Sequence, residues 1–151
     1  DQGYEMLFRV ATGVDISEQR LWVGVFETSP NATNTPLQNF IGFRYSNATA
    51  GGSGDTTWKC ITGDGAARTI TDSTIAVTAD TSYNLRLRVT ATTVTFILGM
   101  PNVGAGTFSF THTTGQNLPT STLRLKAFIR ITAMSNSARS FLFGTFNALT
   151  R

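Results

Sequence analysis

Arg20-Leu21-Trp22-Val23-Gly24-Val25-Phe26 is followed along the chain by Phe40-Ile41-Gly42-Phe43-Arg44-Tyr45-Ser46 and by Gly54-Asp55-Thr56-Thr57-Trp58-Lys59-Cys60-Ile61-Thr62-Gly63-Asp64-Gly65. Ser82-Tyr83-Asn84-Leu85-Arg86-Leu87-Arg88-Val89-Thr90 and Val94-Thr95-Phe96-Ile97-Leu98-Gly99 complete the series. Nearly every run swaps apolar and polar residues at period two, the pattern of a half-buried strand. No stretch of comparable length keeps a helical period. The chain therefore reads as an all-β sandwich.

Outward from that ladder, strands are predicted over 4–10, 20–27, 39–46, 57–62, 67–71, 74–77, 82–90, 94–98, 107–113, 122–132 and 139–146. Loop-forming clusters such as Ser29-Pro30-Asn31, the 50–55 segment, Gly63-Asp64-Gly65 and Ala79-Asp80 punctuate them. In 85–89 and 123–131 the aliphatic residues share one face. The opposite face carries Arg86 and Arg88 in the first and Arg124, Lys126 and Arg130 in the second. Should those two strands be sheet neighbours, these five of the twelve Lys and Arg residues would form a positive stripe. A solvated face is its default reading, and a contact for an acidic protein surface the alternative. The 21–26 and 40–45 runs are apolar on both faces, which implies either a central position or a face covered by another subunit.

Composition narrows the class. With 151 residues, 40% apolar and only 14% charged, the chain can bury a core and must cover its surface with Thr, Ser, Asn and Gly. Eleven Phe are too many for a disordered chain. A net charge of +3, carried by dispersed arginines, falls short of a nucleic-acid-binding domain, so no nucleic acid partner is expected. No apolar run is long enough to cross a bilayer, so no membrane insertion is expected. Cys60 is alone and cannot form an internal disulfide. The chain is expected to form one domain over 1–151. Because it opens Asp1-Gln2-Gly3 without Met, it is compatible with the C-terminal part of a longer protein.

The order of runs Trp22-Val23-Gly24, Phe43-Arg44-Tyr45, Gly54-Asp55-Thr56-Thr57-Trp58 and Tyr83-Asn84-Leu85-Arg86 resembles a lectin-like jelly-roll domain widespread in tailed-bacteriophage structural proteins. That domain is in turn similar to the concanavalin A-like, laminin G-type sandwich. In the relatives the next strand closes on a turn close to Ile-Asn-Gly, whereas this chain has Ile97-Leu98-Gly99. The resemblance covers about 4–146, and its motifs are mostly scaffold. It implies an antiparallel jelly-roll β-sandwich of about ten to twelve strands. It also implies a non-enzymatic virion surface protein: a capsid decoration, a head fibre or a tail fibre domain. Such a protein would form a homotrimer and contact other virion proteins. The alternative is a carbohydrate-binding, lectin-like domain that recognises host surface glycans.

A glycosidase on such a sandwich needs two carboxylates on one strand face, and none of the predicted strands pairs them; Glu27 ends its strand alone. His112 is the single histidine, no Gly-x-Ser-x-Gly elbow is present, and a surface position on a Thr-rich strand is expected for it. One His and one Cys are too few for zinc, and no cofactor is expected. Calcium is the metal option, with Asp55, Asp64 and Asp72 on the loops around the 57–62 strand, although single Asp residues among Gly are also ordinary turn composition. Asp55, Trp58 and Asp64 form the best candidate sugar site, with Trp58 as stacking platform. Packing of Trp58 in the core is the favoured reading, since large rings mostly fill cores. Cys60 reads as a buried small hydrophobe. Asn31-Ala32-Thr33 and Asn47-Ala48-Thr49 match the glycosylation sequon, a triplet that chance supplies in so Thr-rich a chain.

Overall fold

The computed structural model describes residues 3–29, 36–47, 52–100, 107–120, 125–134 and 141–150, with Phe143 the one side chain described in the last segment. Ten strands appear: β1 (Tyr4–Thr12), β2 (Gln19–Phe26), β3 (Asn39–Ser46), β4 (Thr57–Asp64), β5 (Arg68–Ala76), β6 (Ser82–Val89), β7 (Thr93–Gly99), β8 (Phe108–Thr113), β9 (Lys126–Ala133) and β10 (Phe141–Thr150). They form two five-stranded antiparallel sheets, β10-β1-β6-β7-β8 and β5-β4-β3-β2-β9, here called the first and second sheet. The all-β sandwich expected from the alternating runs is therefore present, with the ten antiparallel strands that the resemblance implies for a jelly roll. No described helix is long and apolar enough to cross a membrane.

Alternation explains the core. Met6, Phe8 and Val10 of β1, Leu85, Leu87 and Val89 of β6, and Val94, Phe96 and Leu98 of β7 point inward from the first sheet. Leu21, Val23 and Val25 of β2, Ile41, Phe43 and Tyr45 of β3, and Trp58 and Cys60 of β4 meet them from the second. Each fully buried large side chain contributes roughly 1.5–3 kcal/mol relative to exposure, so a one-residue slip in register would forfeit most of the core.

Two expectations are corrected here. The 67–71 and 74–77 pieces are one strand, β5. Its pairing with β4 shifts between Thr57 and Lys59, and Thr74 takes a φ of 60°. Asp72 Oδ1 accepts from the Thr74 amide and Ser73 Oγ from the Ile75 amide, so local side-chain bonds bulge the strand without ending it. The positive stripe does not form, because β6 and β9 lie in different sheets. On the outer face of the first sheet, Arg86 and Arg88 pair with Glu5 of β1; Lys126 and Arg130 lie on the second sheet, and Arg124 falls outside the described residues.

His112 is also placed differently from expectation. It faces inward from β8, fully buried, with Nδ1 2.8 Å from Thr62 Oγ1 of β4 and Nε2 2.9 Å from Thr71 Oγ1 of β5. A Thr-rich edge strand still has an inward face, and His112 occupies it because two hydroxyls from the opposite sheet satisfy its ring.

Candidate functional site

The strands of the second sheet are stacked in register, so residues on its outer face form rows across it. One row runs Arg130, Trp22, Arg44, Lys59, Asp72 from β9 to β5. The next is Phe128, Gly24, Gly42, Ile61, Ile70, and the third is Lys126, Phe26, Phe40, Gly63, Arg68. Arg20 lies on the same face beyond Trp22. Six basic side chains thus gather on one outer face, on residues that alternate with the core-facing ones.

Much of that face is sealed. Trp22, Phe26, Phe40 and Ile61 form a second apolar cluster on which Phe128 packs. Phe26 stacks on Phe40 at 5.4 Å, and Trp22 stands edge-on to both. The glycines between them are needed for space: a methyl on Gly63 would come within 2.8 Å of the Phe40 ring, and one on Gly42 within 2.8 Å of Val23 O. Arg130 Nη1 donates to Ser29 Oγ at 3.3 Å, and Gln38 Oε1 accepts from the amide and hydroxyl of Thr28, tying the two ends of the β2–β3 connection together.

At the other end, the segment before β4 delivers Asp55. Its Oδ2 accepts from Arg44 Nε at 3.0 Å and from the Ser46 amide at 2.9 Å, while Oδ1 accepts from Arg44 Nη2 at 3.1 Å. Both partners are buried, and the Arg44 guanidinium lies 5.9 Å from the centre of the Trp22 ring. Burial, and behind it the charges of Arg44 and Arg130, pulls Arg20 below the usual guanidinium range.

What stays open is the outer surface of β5, with Thr57 and Lys59 of β4 half-buried beside it. Lys59 Nζ donates to Thr57 Oγ1 at 2.9 Å and to Asp72 Oδ2. Thr57 Oγ1 donates in turn to Asp72 Oδ1 at 2.7 Å. Asp72 is therefore held down at about 2, with the bonds from Lys59, Thr57 and the Thr74 amide outweighing the cost of desolvation, which is the largest single influence. Ile70, one position along the same face, is 44% exposed. A fixed donor and acceptor set beside an exposed aliphatic patch can bind a polyol, whose hydroxyls and C–H groups need both.

The residues singled out from sequence are not brought together. Trp58 is fully buried in the core against Tyr45 and Tyr83 and offers no ring face to a sugar. Asp55 is consumed by Arg44. Asp64 caps the β4–β5 turn through the Ala66 and Ala67 amides at 2.9 and 2.7 Å and accepts from Asn117 Nδ2. Those bonds hold it at about 2. Asp55, Asp64 and Asp72 each serve a different partner, and the described residues hold no group of three His, Cys, Asp or Glu able to share a metal ion. Cys60 is buried in the core, and burial pushes its thiol far up, leaving it inert. Asn31 and Thr33 of the first sequon, and Ala48 and Thr49 of the second, lie outside the described residues.

Sequence reasoning missed Lys59 and Asp72 as a pair. The signal was the tight Asp64-Gly65-Ala66-Ala67 turn, from which pairing counts evenly back to Lys59 opposite Asp72.

No family model and no curated protein matches the chain. Among solved structures it is similar to sheep galectin-11 in complex with glycerol, with a TM-score of 0.52 over 97% of this chain and 90% of that one, at 12% sequence identity. The likeness establishes a lectin-type jelly-roll fold. The bacteriophage resemblance gains no support from these comparisons.

Proposed function

We propose that the protein is a non-enzymatic adhesion domain that binds a surface glycan through the outer face of β4 and β5. The observation that carries this reading is the locked Thr57–Lys59–Asp72 network beside exposed Ile70, on the part of the face outside the sealed aromatic cluster. Lys59 spends two of its three donors within the network, and the third is available to a ligand oxygen. The jelly-roll fold agrees with this use. The motif order supports carriage on a bacteriophage particle, in a capsid decoration, head fibre or tail fibre, as a homotrimer beside other virion proteins.

A glycan array followed by titration calorimetry tests the binding. Saturable binding that falls at least about tenfold in Lys59→Ala and in Asp72→Asn, with folding intact by circular dichroism, is the expected result; each lost charged hydrogen bond is worth about 1.5–3 kcal/mol. Binding indifferent to both substitutions, or no binding across the array, would overturn it. Light scattering tests the assembly separately: a clean monomer at micromolar concentration argues against the virion role.

A further inference from the structure

His112 joins the two sheets at the side where β8 faces β4 and β5. The hydrogen-bond order there is fixed by Thr62, whose hydroxyl donates to Gln116 O at 2.6 Å. Its oxygen must then accept from His112, so the proton sits on Nδ1. Nε2 is left as an acceptor, and Thr71 Oγ1 donates to it. The ring lies between Phe96 and Phe110, with centroids 5.0 and 5.6 Å away. A second proton, on Nε2, would turn the Thr71 hydroxyl round to accept and would leave a buried charge against two phenyl rings, with only hydroxyls to solvate it.

We propose that His112 is an acid-released latch: protonation of Nε2 charges a buried ring that no described carboxylate meets, the ring leaves its place between the sheets, and β8 loosens from β4 and β5. Gln116 and Asn117 meanwhile keep their own bonds to Thr62, Thr69 and Asp64. No described neighbour offsets that charge. Within these elements, β4 carries Lys59, Cys60 and Asp64, and β5 carries Arg68 and Asp72; β7, the rest of β8 and 114–120 carry none. Lys59, Arg68 and Asp72 are on the outer face of the sheet, Asp64 is committed to its turn and to Asn117, and Cys60 is buried in the core. Burial alone pushes the imidazole down to about 4. The folded chain thus refuses a proton that the unfolded chain accepts, and the latch loses strength as pH falls from the ordinary imidazole range toward that value. Thr71 and Asp72 are adjacent on β5, so release reaches the outer surface of the same strand.

The test is amide hydrogen exchange on the whole chain, read as protection factors from pH 7 to about pH 4.5, with the imidazole titration followed by NMR. Protection over 108–113 is expected to fall at least about tenfold while β1 and β6 keep theirs. His112→Gln, which offers a neutral donor and acceptor, should abolish the fall. Thr71→Val keeps the histidine but removes the hydroxyl that can turn to accept from the imidazolium, and should lower the imidazole midpoint further, since bonds to charged groups are the stronger ones. Unchanged protection in β8, an equal fall in His112→Gln, or an unmoved midpoint in Thr71→Val would each overturn the latch. None of these readouts depends on glycan binding.

Discussion

The outer faces of the two sheets arise from the same alternation and come out as opposites. On the first sheet, Glu5 sits between Arg86 and Arg88, whose side chains remain 41% and 44% exposed, and Thr95 meets Thr111 at 2.9 Å in the open. On the second sheet, Trp22, Phe26 and Phe40 are sealed, and Arg44 is buried with Asp55. Strand pattern decides which residues leave the core. Whether they then reach water depends on what packs over them. On the second sheet Asp55 and Ser29, from beside the strands, bond Arg44 and Arg130, and the part of its outer face over β2 and β3 has become a second interior.

The sharpest way to break that contrast is to remove one partner of the buried ion pair. Asp55→Asn leaves the Arg44 guanidinium in an enclosed site without its carboxylate, and such losses cost about 3–5 kcal/mol. Urea denaturation should show a drop of that size. A change below about 1 kcal/mol would mean that Asp55 reaches water and that the face is not sealed.

A smaller effect is expected from crowding the aromatic layer. Gly63→Ala puts a methyl against the Phe40 ring, and the ring is pinned by Phe26 and Trp22. Overpacking of this kind costs about 1–3 kcal/mol, and the same denaturation curve measures it. A neutral result would show that Phe40 can move aside, as a ring facing solvent would.

The ladder of alternating runs carried the fold, and period two over 82–90 leaves one solution for which side is inside, so that Leu85, Leu87 and Val89 could be read off as inward. The 21–26 and 40–45 runs, apolar on both faces, did not say which side meets the facing sheet. What stayed hidden was set by segments between strands. Asp55 looked like a rim carboxylate because nothing local says that Arg44, eleven positions earlier, will claim it. His112 looked exposed because its partners Thr62 and Thr71 lie fifty and forty-one residues away, in the opposite sheet. Trp58 reads as core over rim from its type alone, and the facing sheet bears this out by bringing Tyr83 against it. Pairings at such separations depend on sheet order, which local periodicity does not encode.

The smallest effect belongs on the first sheet. Glu5→Gln removes a carboxylate bonded to Arg86 Nη1 at 3.3 Å and Arg88 Nε at 3.2 Å. On distances alone this resembles the Arg44–Asp55 pair. Glu5 is itself buried, but both arginines keep a large exposed fraction, so water takes over their side of the pair when the carboxylate goes, and the expected loss is about 1 kcal/mol, well under that of Asp55→Asn. Raising salt should shrink it further, while the cost of Asp55→Asn should hold, since screening reaches exposed charges far more than enclosed ones. If the two substitutions respond alike to salt, the two faces share one environment and water is not excluded from the second.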